Sequence, residues 1–404
     1  MKNRSGLFIV IFIIAILFSC NKSESLVDSS FEYADKQLGY MLKQLDEKVE
    51  DSSTVLVDKI FPRSIDLNGK LYTVSPSDWC SGFFPGVLWY MYEYTKDNFW
   101  KEKAREYTIK LSGQRFNKST HDLGFMLYCS YGNGYRLSPS EEYKSVLFDA
   151  AESLSSRYDS IVGCIKSWDL KNSSWQYPVI IDNMMNLELL FEASKIFKDD
   201  KYRNIAVSHA ERTMRNHFRP DYSSYHVVDY DTITGNVLSK NTHQGYSDES
   251  VWARGQAWGL YGYTMCYRET GDIRYLKFAE KIADFILKHK NMPDDLIPYW
   301  DLLAPNIPNE PRDVSAAAII ASALYELSEF SLENSEIYKG VADTIMENLS
   351  SNYRPNIGTM YGFLLHSSTG HWPRGSEINV PIIYADYYYL EALLRKNRLN
   401  NKDL

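Results

Sequence analysis

Roughly twelve separate stretches of this chain carry apolar residues at i, i+3, i+4 and i+7, the spacing of one buried helix face. They lie near 31–49, 82–95, 98–113, 122–132, 140–157, 182–197, 200–217, 252–269, 272–289, 313–329, 335–350 and 380–397. Alternation with period two is confined to short runs: Leu71 to Val74, and Tyr225 to Asp229 with Asn236 to Ser239 around Thr234-Gly235-Asn236. These read as loop hairpins. A weak repeat links the helices. YTKDNFWKEKA, FKDDKYRNIAVSHA, TGDIRYLKFAEKIADF and ENSEIYKGVADTI each end one helix in a polar turn and begin the next. Their spacing of about 60 to 100 residues is too long for a tetratricopeptide array. It fits helix pairs separated by long loops. Six pairs close into a double ring, so the predicted fold is all-α, an (α/α)6 barrel with long loops over one end. Small, aromatic-rich helices such as GQAWGLYGYTM and SAAAIIASALYEL suit the inner ring, and charged ones such as KFAEKIADFILKHK the outer ring.

No linker or low-complexity tract divides residues 31–398, read as one catalytic-type domain. Ahead of it, Lys2 and Arg4 precede an unbroken apolar run from Leu7 to Phe18, then Ser19 and Cys20. The run is shorter than the roughly 20 residues that span a bilayer. It reads as a secretory signal over 1–19, with 20–30 as a tether. Leu17-Phe18-Ser19-Cys20 resembles a lipobox, which implies an exported bacterial lipoprotein, attached to the membrane through a lipid on Cys20 and facing the periplasm. The alternative is an uncleaved N-terminal anchor. Cys80, Cys129, Cys164 and Cys266 are widely spaced, form no CxxC and favour no pairing, so buried free thiols are expected.

With 44 Lys plus Arg against 52 Asp plus Glu, the chain is net acidic and a poor general binder of phosphate, which argues against nucleic acid as a partner. Phosphate-loop, Rossmann, zincin and nucleophile-elbow motifs are all missing. Aromatic residues make up 14% of the chain, and Tyr and Trp supply flat apolar faces with polar tips, as sugars require.

Four constellations can carry chemistry. Asp122, in THDLGF, and Asp182, in VIIDNMMNL, stand at the starts of two presumed inner helices. Each can simply cap its helix. Placed at one end of a barrel, both would aim into one cavity, and paired carboxylates are the equipment of sugar hydrolysis. Trp252, Arg254 and Trp258 lie in WARGQAWG, where Arg254 and Trp258 share a helix face. An Arg between Trp rings can clamp a carboxylate, or it can be a structural Arg in a core Trp pair. His226 and Gln244 precede that segment, and Trp79 stands similarly before an earlier inner helix. Ser367, Ser368, Thr369, His371 and Arg374 offer hydroxyls and a cation to a sulfate, or form an ordinary polar loop.

Together DWCSGFFPG, THDLGF, IIDNMMNL, ESVWARGQAWGLYG, RDVSAAAIIASAL and ADYYYLEALL resemble the landmarks of the unsaturated glucuronyl hydrolases of glycoside hydrolase family 88, in that family's order. The resemblance covers most of the chain after about residue 70. It implies an (α/α)6 barrel with no metal and no organic cofactor. It implies a hydrolase that removes the terminal 4,5-unsaturated uronic acid from lyase-generated glycosaminoglycan oligosaccharides. By the same resemblance Asp182 matches the principal acid/base and Asp122 the second essential carboxylate. Trp79, His121, His226, Gln244, Trp252, Arg254 and Trp258 match pocket positions, and Ser367 and Ser368 a region that meets sulfated sugars in some relatives. The implied chemistry is hydration of the C4=C5 vinyl ether. Asp182, protonated at rest and its pKa raised by Asp122, protonates C4, and as carboxylate it then activates water for C5. No displacement occurs at C1, so carboxylate separation does not report the stereochemistry. Two rivals remain: an unsaturated rhamnogalacturonyl hydrolase acting on pectin fragments, and a non-catalytic sugar-binding lipoprotein.

Overall fold

The computed structural model describes residues 25–51, 59–169 and 174–402. Its helices are α1 (Leu26–Asp51), α2 (Phe83–Thr95), α3 (Asn98–Ile109), a wide-turned π-helical segment (Gly124–Gly132) running straight into α4 (Asn133–Leu137), α5 (Glu141–Ser155), α6 (Asn183–Phe197), α7 (Asp200–Asn216), α8 (Ala253–Thr270), α9 (Ile273–Lys288), α10 (Val314–Phe330), α11 (Ser335–Asn352) and α12 (Ile383–Lys402).

The repeated turn seen in the sequence has a simple local cause. Lys96, Lys198 and Gly271 take left-handed φ values of 59°, 55° and 68° and end α2, α6 and α8. The next residues, Asp97, Asp199 and Asp272, each cap the following helix by accepting from the backbone N–H two positions on. A left-handed C-terminal residue followed by an Asp N-cap reverses the chain in two residues and satisfies free groups at both helix ends.

Packing closes a ring. α2 touches the π segment, which touches α6. The chain of contacts continues through α8, α10 and α12 back to α2. Outside it, α3 lies on α2, α5 on the π segment and α6, α7 on α6 and α8, α9 on α8 and α10, α11 on α10 and α12, and α1 on α12 and α2. This is the predicted (α/α)6 barrel. Inner helices are buried on every side: α10 from Val314 to Ser328 and α8 from Ala253 to Cys266. Small residues are obligatory where they crowd. A Cβ at Gly82 would stand 2.2 Å from the carbonyl oxygens of Phe125 and Met126, and one at Gly262 2.6 Å from Cβ of Met184. The four described cysteines are free and buried.

All inner helices start at the same end, where the long loops gather. There β1 (Phe61–Ile65) pairs with β2 (Leu71–Val74), β3 (Tyr158–Asp159) with β4 (Cys164–Ile165), β5 (Pro178–Ile180) with β6 (Val227–Tyr230) and β6 with β7 (Val237–Asn241), and β8 (Ser368–His371) with β9 (Ser376–Val380), all antiparallel.

One boundary differs from the expectation. Residues 26–30, assigned to a tether, form the first turn and more of α1. Ser25 caps that helix, its hydroxyl accepting from Asp28 N at 3.1 Å, and Val27 and Phe31 are buried against the barrel. The run of serines hid an apolar face. Residues 1–24, with the signal and lipobox expectations, lie outside the described residues.

The floor of the barrel, at the C-terminal ends of the inner helices, holds a charged cluster. Glu188 on α6 and Glu326 on α10 both meet Arg268 of α8, and Glu326 also meets Arg395 of α12 at 2.9 Å. Burial first, then Glu391, Glu326 and Glu269, push the Glu188 carboxyl up to about 7 against the pull of Arg268. The folded protein therefore holds a proton that the unfolded chain has released above pH 4.5, and stability falls as pH rises through that window. Relative to Glu188→Gln, the native chain is expected to lose roughly 1–3 kcal/mol between pH 5 and pH 8. Urea denaturation at the two pH values checks this; an unchanged difference would refute it.

Candidate active site

Four of the six inner helices present a site side chain from their first residues, and the loops into the other two supply Trp79 and Asp122. Asp182 occupies the N-cap position of α6 but makes no side-chain cap bond. By contrast Asp313, at the same position of α10, caps by accepting from Ser315 N at 3.1 Å. Asp122 likewise is not committed to a helix end: its carboxylate takes the Thr120 hydroxyl and approaches His121 Nε2 at 3.2 Å. The capping explanation for both acids therefore fails, and both carboxylates remain for the cavity.

His226 sits on the loop side of Asp182. Its Nδ1 accepts backbone N–H groups from His243 at 3.0 Å and Gln244 at 3.1 Å. An imidazole accepting at Nδ1 carries its proton on Nε2. Nε2 is 3.5 Å from Asp182 Oδ2, longer than a formed hydrogen bond. Both atoms lack a partner, as do His121 Nε2, Asn183 Oδ1, Asn186 Nδ2, Trp258 Nε1, Ser368 Oγ and both ring nitrogens of His371. Buried polar groups are normally paired. Such atoms occur elsewhere in the barrel too, but those of Asp182, His226 and His121 lie together at this helix end, where a polar ligand can complete the bonding.

The charge states differ from the sequence expectation. Burial pushes Asp182 up, but His226, His121 and Arg254 together outweigh it and hold the carboxyl below its ordinary value. This balance favours the carboxylate form of Asp182 in the free site, against the protonated resting form expected. Asp122 is the raised one, chiefly by burial, with Asp182 adding to the effect against His121 and Thr120. Burial also keeps His121 below its usual pKa. Six helix N-termini add positive potential at this end, suiting an anionic ligand.

Arg254 is not an open clamp. It is buried, pairs with Asp313 at 2.6 Å, and donates to the carbonyls of Thr369 at 2.7 Å and Gly370 at 2.6 Å. Its guanidinium lies 4.6 Å from the Trp252 ring centroid and 5.3 Å from that of Tyr384. Gln244 Nε2 also donates to Gly370 O, at 2.9 Å. Together these bonds fasten the β8–β9 hairpin across α8 and α10. Trp252 stacks near His226, with centroids 4.4 Å apart. Trp79 is half-buried in a wall with Phe83, Phe125 and Tyr384. Trp258 is fully buried one turn down α8 between Phe125 and Tyr388, so it belongs to the barrel core beneath the pocket and offers no open face. Ser367 is half-buried and bonded to His366 Nδ1 at 2.7 Å, and Ser368 is fully buried with its Oγ unpaired.

Sequence reasoning missed Asp313, Trp168 and His243. Trp168 lies 5.2 Å from His243 and 6.3 Å from His226, ring to ring. Its position in a loop leading to an inner helix is the same signal that marked Trp79. Nothing local marks His243. Among the described residues no group of three or more His, Cys, Asp or Glu side chains could hold a metal ion.

A closed six-hairpin ring with two uncapped acids, two imidazoles and an aromatic wall at its mouth has the make-up of a saccharide-cleaving (α/α)6 barrel. The chain belongs to Glycosyl Hydrolase Family 88, whose family model matches residues 33–352. It is 50% identical over 342 residues to an unsaturated glucuronyl hydrolase of Formosa agariphila, covering 84% of this chain and 85% of that one. A crystal structure of an unsaturated glucuronyl hydrolase specific for heparin superposes with a TM-score of 0.87 and 45% identity, over 93% of this chain and 98% of that one. A variant of the enzyme from Streptococcus agalactiae, complexed with dGlcA-GalNAc6S, superposes with a TM-score of 0.75 and 30% identity, over 92% of each chain.

Proposed function

We propose that this protein hydrolyses the terminal 4,5-unsaturated uronic acid from glycosaminoglycan oligosaccharides, with Asp182 as the acid/base. The observation that carries the assignment is Asp182 at a helix N-cap with its cap bond unmade, facing the Nε2–H of His226. The substrate's carboxylate is itself an anion. Seated in the cavity, it opposes the ionised Asp182 and raises its pKa, so the carboxyl takes up a proton as the substrate binds. That proton goes to C4 of the vinyl ether, leaving positive charge shared by C5 and O5. Water then adds to C5 while the Asp182 carboxylate removes its proton. The resulting hemiketal opens to a C5 ketone, and the C1 hemiacetal releases the neighbouring sugar. One water is consumed and Asp182 ends as it began its turn, protonated. Asp122, held by Thr120 and His121, keeps a second carboxyl beside the reacting ring. Trp252, Trp79 and Trp168 form the aromatic faces around it.

The test follows loss of the ultraviolet absorbance of the conjugated double bond, with unsaturated chondroitin and heparin disaccharides, sulfated and unsulfated. Loss with the native enzyme on any of them is expected, and the order of rates names the substrate. Absorbance unchanged on all of them, but lost on unsaturated rhamnogalacturonan fragments, would move the protein to the pectin reading.

The same reading includes a lipid on Cys20 and a periplasm-facing location. Its support is the Leu7–Phe18 apolar run ending at a lipobox-like Leu17-Phe18-Ser19-Cys20. Among the described residues no helix is long and apolar enough to cross a membrane.

A further inference from the structure

Outer helices run opposite to inner ones. Their first turns therefore lie at the barrel floor, away from the site, and α1 begins there at Leu26. Large apolar residues are exposed on only part of that floor. Phe99 in the first turn of α3 is 48% exposed, Ile273 at the start of α9 54%, Ile337 in the first turn of α11 58%, and Leu332 just before α11 99%. The turns opening α5 and α7 carry no such residue, whereas acidic residues stand at the openings of all these helices, Asp97, Asp272, Glu333 and Glu336 in the arc as well as Glu141, Glu142, Asp199 and Asp200 outside it. The contacts fix the circular order. α11 rests on α10 and α12, α1 on α12 and α2, and α3 on α2. The start of α1 thus lies between the starts of α11 and α3, in the middle of the apolar arc.

Cys20 is six positions before Leu26, a reach of at most about 20 Å even fully extended. A lipid there brings a bilayer to the α1 start and to the arc on either side. We propose that the floor arc formed by Phe99, Ile273, Leu332 and Ile337 is the face this protein lays on its own membrane, so that the site opens away from the lipid toward soluble oligosaccharides. The inference rests on the reading of Cys20 as lipidated. A lipid tether fixes where the chain is held and leaves its orientation free, so a second apolar contact sets the orientation. Four apolar side chains around the attachment point supply that contact, and the turns of α5 and α7 offer none.

The experiment uses the full chain purified from membranes and placed in phosphatidylethanolamine/phosphatidylglycerol vesicles, with Cys20→Ser in solution as reference. Mass spectrometry first reads the N-terminus. Amide hydrogen exchange then compares the six floor turns and the loops of the mouth. Slowed exchange in the first turns of α3, α9 and α11 is expected, with those of α5 and α7 unchanged. The variant Phe99→Ser/Ile273→Ser/Leu332→Ser/Ile337→Ser is expected to lose that protection and to keep native turnover of a soluble disaccharide. A lipid on Cys20 with protection absent, or placed at the mouth or at α5 and α7, overturns this orientation alone. A Cys20 without lipid overturns the anchor reading and the orientation with it.

Discussion

Asp182→Asn is expected to lower kcat by about 10³-fold while moving KM no more than a few-fold, the signature of a lost proton donor. The amide keeps the shape of the carboxyl and can still face the Nε2–H of His226, so the pocket keeps its form. What goes is the exchangeable proton that must reach C4. The charge state of the free site adds a second readout. Asp182 rests below its ordinary pKa because His226, His121 and Arg254 outweigh burial. Binding an anionic uronate opposes that balance, so binding to the native enzyme should take up a proton. Calorimetry in buffers of different ionisation enthalpy measures the uptake. Asp182→Asn should show binding without it. Turnover in the native enzyme should fall as pH rises and deprotonates Asp182 in the complex. Equal proton uptake in both proteins would remove Asp182 from the acid role.

The second large effect concerns Arg254. Arg254→Met leaves Asp313 buried and unpaired and takes donors from the carbonyls of Thr369 and Gly370. Breaking one side of a buried ion pair typically costs about 3–5 kcal/mol. The loss should appear in urea denaturation at pH 7. The β8–β9 hairpin should loosen, so turnover falls although Arg254 offers the substrate no open clamp. Arg254→Met/Asp313→Asn removes the uncompensated charge and should recover part of the stability, though little of the turnover. A double variant no more stable than Arg254→Met would show that the ion pair is not what the hairpin rests on.

Helical periodicity reached far in this chain because an inner helix and an outer helix differ in composition as well as in pattern. SAAAIIASALYEL can only be ringed by neighbours, and KFAEKIADFILKHK has one wet face. The short turns were legible too, since Lys-Asp and Gly-Asp pairs carry their own cap chemistry. The start of α1 was not: Ser29 and Ser30 fall between Val27 and Phe31 and mask the face. Nor was the β8–β9 hairpin, whose strands are short and lack alternation. Within the site, the two acids and His226 stood out by residue type and place. The pairing of Arg254 with Asp313 did not, because it joins residues 59 positions apart. The charge on Asp182 was misread for the same reason. It is a balance of burial against His226, His121 and Arg254, and His226 reaches it only once β5 and β6 have paired.

The ring closes through its last member. α12 seals the gap between α10 and α2, and α1 leans on α12 and on the segment before it, with Gln37 donating to Phe363 O at 2.9 Å and Tyr33 to Pro355 O at 2.8 Å. These contacts tie together positions more than three hundred residues apart. Loop closure over such a span is slow and comes late. No shorter set of hairpins has neighbours on both sides of every inner helix. A nascent polypeptide leaving a ribosome or a translocase must wait for the twenty residues of α12 before this core is shut. Truncation before Arg395, the last buried residue of α12, is therefore expected to yield a chaperone client or a protease substrate rather than a weakened enzyme.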